Sequence, residues 1–160
     1  MQTTLQLLQS IDISDEAFAP FGQVLWPEDD GKLFDSMDAQ LSLEQGTPRF
    51  YLMRLENKGL RFHKITHHRQ CTQSLGSLGG LEWLMAVAPA DSVPSVDNLR
   101  AFRIPGNCFV KLNQGTWHAG PYFSHDVVDF YNLELSDTNV VDHHTYNFLT
   151  QVKYEFELLL

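Results

Sequence analysis

Short stretches of alternating or continuous apolar residues recur along the chain, each closed by a turn-forming cluster. Gln23 to Trp26, Phe50 to Leu55, Leu60 to His67, Gln70 to Leu75, Glu82 to Ala88, Leu99 to Ile104, Cys108 to Asn113 and Val127 to Leu135 all read as extended. Asn57-Lys58-Gly59, Gly76 to Gly80, Pro105-Gly106-Asn107 and Gly120-Pro121 punctuate them. In the last ten residues Val152, Tyr154, Phe156 and Leu158 alternate, which predicts one more strand over 151–160. Helical signals are few. Ser14 can cap a short helix, Asp15 and Glu16 suit its positive end, and Ile13 can pack back on Phe18 before Pro20 and Gly22 stop it. A second helical turn is expected near Ser95 to Leu99, after Pro94. Many short strands with so little helix predict an all-β sandwich or small barrel.

The polar stretch from Pro27 to Gly46 is long for a connection and reads as a mobile loop. No repeat or linker divides the 160 residues, so one domain over 1–160 is expected. With 43% hydrophobic residues the chain can build a core, which excludes a disordered polypeptide. No apolar run approaches the roughly 20 residues of a membrane span, and the amino terminus lacks a secretory pattern, so a cytoplasmic location is the expectation. The formal charge of −9, without a cationic cluster of the kind that grips phosphate backbones, argues against nucleic acid as a partner. It also means that an acidic substrate must be met by local donors. Cys71 and Cys108 are too few for a disulfide framework and read as small buried hydrophobes.

Chemistry, if present, lies with the histidines. Alternation along Leu60 to His68 sends His67 and His68 to opposite faces, so one of the two is expected at the surface. Gln73 follows His68 by five residues, and a turn at Gly115-Thr116 leads to Trp117-His118. Two imidazoles and an amide oxygen from separate hairpins can hold a divalent metal such as nickel, zinc or manganese. Equally, His118 can be a half-buried histidine bonded to nearby backbone, and Trp117 can fill the barrel rim. Arg54 ends an apolar strand, where its planar fork needs either an acidic side chain or the carboxylate of a ligand. Asp129 and Tyr131 share a face with Val127 and Leu133, and a carboxylate there needs a cation or a proton-handling role. Lys111, alternating with Phe109 and Asn113, reads as a solvated lysine or as a further contact to an acid, and His143 and His144 read as exposed loop residues.

Ala17-Phe18-Ala19-Pro20-Phe21-Gly22-Gln23-Val24 resembles the amino-terminal signature of ureidoglycolate lyases. Arg54, His68 with Gln73, Val87-Ala88-Pro89, Leu99-Arg100-Ala101-Phe102, Gly115-Thr116-Trp117-His118 and Val128-Asp129-Phe130 follow in the family's order, over roughly residues 16 to 135. The resemblance implies a cupin-like double-stranded β-helix with one or two short helices, generally a homodimer, that splits ureidoglycolate into glyoxylate and urea in purine and allantoin catabolism. It implies a divalent metal at His68, Gln73 and His118, a small hydroxy acid held by Arg54, Lys111 and Trp117, and proton transfer by His118 with Asp129 or Tyr131. This chain has Asn113 and Ala119 where the family carries histidines flanking the Gly-Thr-Trp-His turn. Those replacements leave two other readings open: a cupin module that binds a small acid without turning it over, or a cupin isomerase or lyase acting on another hydroxy or keto acid.

Overall fold

The computed structural model describes residues 1–160. In chain order the elements are β1 (Thr4–Asp12), α1 (Asp15–Phe18), β2 (Gly22–Leu25), β3 (Pro48–Glu56), β4 (Arg61–Phe62), β5 (Lys64–His67), β6 (Gln73–Ser77), β7 (Gly80–Ala88) and β8 (Arg100–Gly106). There follow β9 (Phe109–Leu112), β10 (Trp117–Tyr122), β11 (Val127–Leu135), α2 (Thr138–Val141), β12 (His144–Asn147), α3 (Phe148–Val152) and β13 (Tyr154–Leu159). The strands form a five-stranded sheet in the order β2-β9-β6-β11-β3 and an eight-stranded sheet in the order β12-β5-β10-β7-β8-β1-β13-β4. All-β, with two curled sheets in a cupin-like arrangement, is therefore the fold.

Alternation along the strands builds two apolar cores. Val24, Leu75, Val110, Leu112, Val128 and Phe130 of the smaller sheet face Trp83, Met85, Val87, Phe102 and Ile104 of the larger one. The opposite face of the larger sheet, with Ile65, Leu84, Ala86, Ala101 and Ala119, is covered by Phe62, Phe148, Phe156 and Leu158. Burying both faces of β7 explains its nearly continuous apolar run from Trp83 to Ala88. The outer face of the smaller sheet is left open at β3, where Phe50 and Leu52 are exposed.

The cap at Ser14 forms as expected, its hydroxyl accepting from Ala17 N at 3.1 Å, and Ile13 and Phe18 meet in the first core. Both cysteines are free and buried. Elsewhere the structure departs from the sequence reading. The long strand over 60–67 is broken at His63 into β4 and β5, which pair with different partners, β13 and β12. Residues 95–99 form a turn closed by reciprocal Ser95 and Asn98 bonds rather than a helix. The terminal strand starts only at Tyr154, because Asn147 caps α3 through Leu149 N and Thr150 N. The loop over 27–46 is tied down rather than free: Gln23 Nε2 donates to the carbonyls of Ser36 and Asp38, and Thr72 N donates to that of Ser42.

Gly106, at the end of β8, lies against the backbone of Gly80 and Leu81, and a β-carbon there would collide with main-chain atoms. Gly106→Ala is expected to cost about 1–3 kcal/mol, the usual range for overpacking. Gly31→Ala, where the added carbon meets nothing within 4 Å, should stay within about 0.5 kcal/mol. Urea unfolding of the two variants beside the parent checks both values.

Candidate functional site

His68, Cys71, Gln73, Leu112, Asn113, Thr116 and His118 enclose a narrow chamber between the sheets, without room for a water-sized sphere. The three residues expected to converge do so. Gln73 opens β6 on the core-facing side, opposite Leu112 of β9, and His118 lies on β10 opposite Val87, which is also core-facing. His68 comes just after β5, where the strand has ended and its ring turns inward to a centroid distance of 5.1 Å from His118.

Backbone contacts fix these rings. His68 Nδ1 lies 2.7 Å from the carbonyl of Asp142; a carbonyl can only accept, so Nδ1 carries the proton and Nε2 keeps a lone pair. His118 Nδ1 approaches the carbonyl of Thr116 at 3.4 Å with the same result. The loop that aims them is held by the Asp142 carboxylate, which accepts from Arg69 N and Gln70 N at 2.8 Å each. Across the turn, Gly115 N donates to the His68 carbonyl at 2.7 Å, and Gly115 adopts φ +82°, a conformation other residues rarely take. Burial and the neighbouring His68 push the His118 pKa down to about 3, and burial lowers that of His68. Both are neutral acceptors at physiological pH.

Gln73 completes the chamber from behind. Its Nε2 donates to Asn132 Oδ1 at 2.9 Å, which leaves Gln73 Oε1 buried without a partner. Asn132 Nδ2 is likewise unpartnered at close range and lies toward Glu134, two residues along the same face of β11. Glu134 is almost fully buried, with Tyr51 Oη 3.5 Å away. Burial raises its pKa, opposed by Asn132, Arg49 and Tyr51. Sequence reading missed this polar row because Asn132 and Glu134 alternate with apolar neighbours on a strand whose two faces are both rich in apolar residues.

No group of three or more His, Cys, Asp or Glu side chains is arranged to hold a metal ion. The donor set that does exist has a different composition: two imidazole Nε2 lone pairs and an orphaned amide oxygen. An orphaned buried acceptor beside two oriented imidazoles is a chemically reasonable seat for a divalent cation.

His118 also borders a second, larger space. A pocket of about 390 Å³ opens beside the chamber, lined by Lys58, Arg61, Phe62, His63, Lys64, Thr66, Ala119, Gly120, Tyr122 and His143 as well as His118. No acidic side chain lines it, although the chain as a whole is at −9. His143 stands 5.8 Å from His68, so one of the two residues read as plain loop histidines belongs to the site. The clustering of Lys58, Arg61 and Lys64 around a glycine turn was the available signal in the sequence.

Other expected site residues lie elsewhere. Arg54 and Asp129 face each other across β3 and β11 on the outer side of the smaller sheet, joined by two bonds of 2.8 and 3.0 Å. They satisfy each other, and Arg54 cannot clamp a ligand in the interior. Tyr131 is on that same outer face, stacked between Phe50 at 5.8 Å and Phe109 at 5.4 Å, so it handles no proton in the chamber. Lys111 is neither solvated nor in a pocket: it is buried, its Nζ donates to Asn113 Oδ1 at 2.8 Å, and burial lowers its pKa. Trp117 points away from the chamber and stacks on His67 at 3.6 Å, its Nε1 donating to the Ser92 carbonyl. His67 is thus buried like His68, against the expectation that one of the pair would be exposed.

The family profile described as ureidoglycolate lyase matches residues 5–153. The chain belongs to the ureidoglycolate lyase family. Ureidoglycolate lyases of Escherichia coli O1:K1 / APEC, of Escherichia coli strain K12 / DH10B and of Shigella boydii serotype 18 are each 26% identical over 146 residues, spanning 84% of this chain and 91% of theirs. Among solved structures, a variant of Bacillus subtilis oxalate decarboxylase aligns over 64% of this chain and 24% of its own, with 13% identity and a TM-score of 0.43. The Legionella pneumophila Philadelphia 1 dTDP-6-deoxy-D-glucose-3,5-epimerase aligns over 83% and 68%, with 14% identity and a TM-score of 0.40. The two positions at which this family member lacks the expected histidines both border the site, Asn113 in the chamber and Ala119 in the larger pocket.

The raised pKa of Glu134 gives a signed test. The unfolded chain releases this proton near the ordinary value of 4.5 and the folded chain only at higher pH, so stability falls as pH rises through that window. Glu134→Gln removes the effect. Its urea midpoint should match the parent's at pH 4 and exceed it at pH 8.

Proposed function

We propose that this member of the ureidoglycolate lyase family splits ureidoglycolate into glyoxylate and urea in the pocket that His118 shares with the buried chamber. The observation that carries the proposal is the abrupt change of electrostatic character at His118: cations with no acid on one side, neutral acceptors on the other. A small 2-hydroxy acid fits that division. Its carboxylate goes to Lys58 and Lys64, since Arg61 is engaged by Glu157 at 2.8 Å, and its hydroxyl and ureido hydrogens are offered to the imidazoles.

The reaction moves one proton. The hydroxyl O–H breaks as its oxygen becomes the glyoxylate carbonyl, the C–N bond breaks, and the departing urea nitrogen takes up a proton. His118, neutral and bordering both the pocket and the chamber, accepts a hydrogen bond from the substrate hydroxyl, with the neutral His68 ring beside it in the chamber. His63 and His143 make no side-chain hydrogen bond within the chain and border the same pocket, so the proton is carried by one of these rings in the place once expected of Asp129 or Tyr131. A divalent metal, nickel, zinc or manganese, held by His68, Gln73 and His118, would polarise the hydroxyl and carboxylate oxygens when bound. Pairing of two copies of the chain is part of the proposal as well.

Asn113 and Ala119 favour one second reading, a module that binds the acid without cleaving it. Urea and glyoxylate release above the spontaneous rate separates the two: binding without product supports the module. Under the lyase reading, His118→Ala should lower turnover by at least about 10²-fold and reduce the stoichiometry of transition metal in the purified protein. Arg54→Met should leave turnover within about twofold, because Arg54 lies on the outer face; a loss comparable to that of His118→Ala would return the guanidinium to the site.

A further inference from the structure

The oxygen that Gln73 presents to the chamber has no partner there, and the row behind it decides why it is an oxygen. The two ends of a carboxamide have nearly the same shape, so hydrogen bonding alone sets which end points where. Gln73 Nε2 donates to Asn132 Oδ1 at 2.9 Å. Turning both amides over would keep a bond between them, now from Asn132 Nδ2 to Gln73 Oε1. It would also bring Gln73 Nε2 into the chamber, where a lone pair of His68 or His118 could accept from it. Counted over these residues alone, the reversed row gains a bond.

What opposes the reversal lies one step further back. Glu134 shares a face of β11 with Asn132 and is 2% exposed, with Tyr51 Oη 3.5 Å from its carboxylate. Asn132 Nδ2 has no bond of ordinary length and lies toward that carboxylate, which it helps to keep ionised. An ionised carboxylate can only accept. Reversal would set Asn132 Oδ1 against it, two buried acceptors with no proton between them. Burial makes the charge costly to keep, and a glutamine would fill the same space without that cost.

We propose that Glu134 is a positioning residue: through Asn132 it fixes the polarity of the row, so that Gln73 turns its oxygen and not its nitrogen into the chamber. The inference rests on the chamber being the acceptor side of the proposed lyase site. Held this way, the chamber offers acceptors only, which suits a cation or a donor hydroxyl. Reversed, it satisfies itself and has less to offer either.

Glu134→Gln, which keeps the size but can donate as well as accept, tests it. In zinc-free protein, nuclear Overhauser contacts from the Gln73 side-chain amide protons should run to Asn132 in the parent. In the variant they should run to the His68 or His118 ring as well. Zinc affinity, measured by competition with a chromophoric chelator, should fall about tenfold, the usual loss when a group behind a ligand is changed. The urea midpoint at pH 8 should not fall, which separates lost orientation from lost structure. Adding Asn132→Asp to Glu134→Gln puts an acceptor-only group directly behind Gln73 and should restore the parent contacts. Contacts unchanged in Glu134→Gln overturn the inference, as does a double variant that fails to restore them or a urea midpoint of Glu134→Gln below the parent's at pH 8. The proton contacts decide the matter even where the parent takes up no zinc. Ureidoglycolate turnover is measured separately. Turnover in the parent with contacts unchanged in the variant sinks only this inference, and reversed contacts without turnover in the parent sink only the lyase reading.

Discussion

The site is assembled by a single buried carboxylate that never enters it. Asp142, 1% exposed, accepts from the amides of Arg69 and Gln70, and its own carbonyl accepts a hydrogen bond from His68 Nδ1. A carboxylate this deep is tolerable only when hydrogen bonds replace its water, and the two amides do so. What those bonds accomplish is a reversal of direction. Strand geometry sends His67 to the other face, onto Trp117, and the anchored loop sends the very next ring into the chamber to face His118. Without Asp142 the chain after β5 has no reason to turn there, and the chamber loses one of its two imidazoles.

Around that anchor the protein separates two electrostatic tasks that exposed charges alone would blur. Neutral acceptors occupy the chamber, where charging an imidazole is unfavourable, as the depressed pKa of His118 records. Full charges are confined to the mouth, where solvent still meets the lysines. The row from Gln73 through Asn132 toward Glu134 continues the same logic behind the chamber, because each amide that donates backward presents its oxygen forward. Under the proposed lyase reading, a hydroxy acid approaching the pocket would meet cations first and acceptors second, which would set its orientation before any bond changes.

Much of this was readable from residue order, and what was not has specific causes. The strand limits of β11 and the shared face of Asp129, Tyr131 and Leu133 were legible from period-two alternation. The direction of that face was not, because Val127 and Leu133 on one side look as apolar as Val128 and Phe130 on the other. Arg54 and Asp129 each invited a functional role while the simplest partner for each was the other, two strands being needed to see it. The convergence of His68, Gln73 and His118 was expected from their hairpins. His143 was missed since only the fold brings α2 and β12 alongside β5. Strand β1 left no clear mark, since the adjacent Leu7 and Leu8 break the alternation of leucine with glutamine and its partners β8 and β13 lie far along the chain.

That last pairing shapes how the molecule must come together. β1 runs parallel to β13, residue 4 beside residue 154, and at its other end lies parallel to β8. Closing the larger sheet thus depends on contacts between β1 and strands far along the chain. Before that closure Phe62 and Phe148 lack the cover of Phe156, and a half-built hydrophobic layer is open to solvent. Contacts of such long sequence separation are costly to close, so a chain with this layer still open is the form most exposed to aggregation.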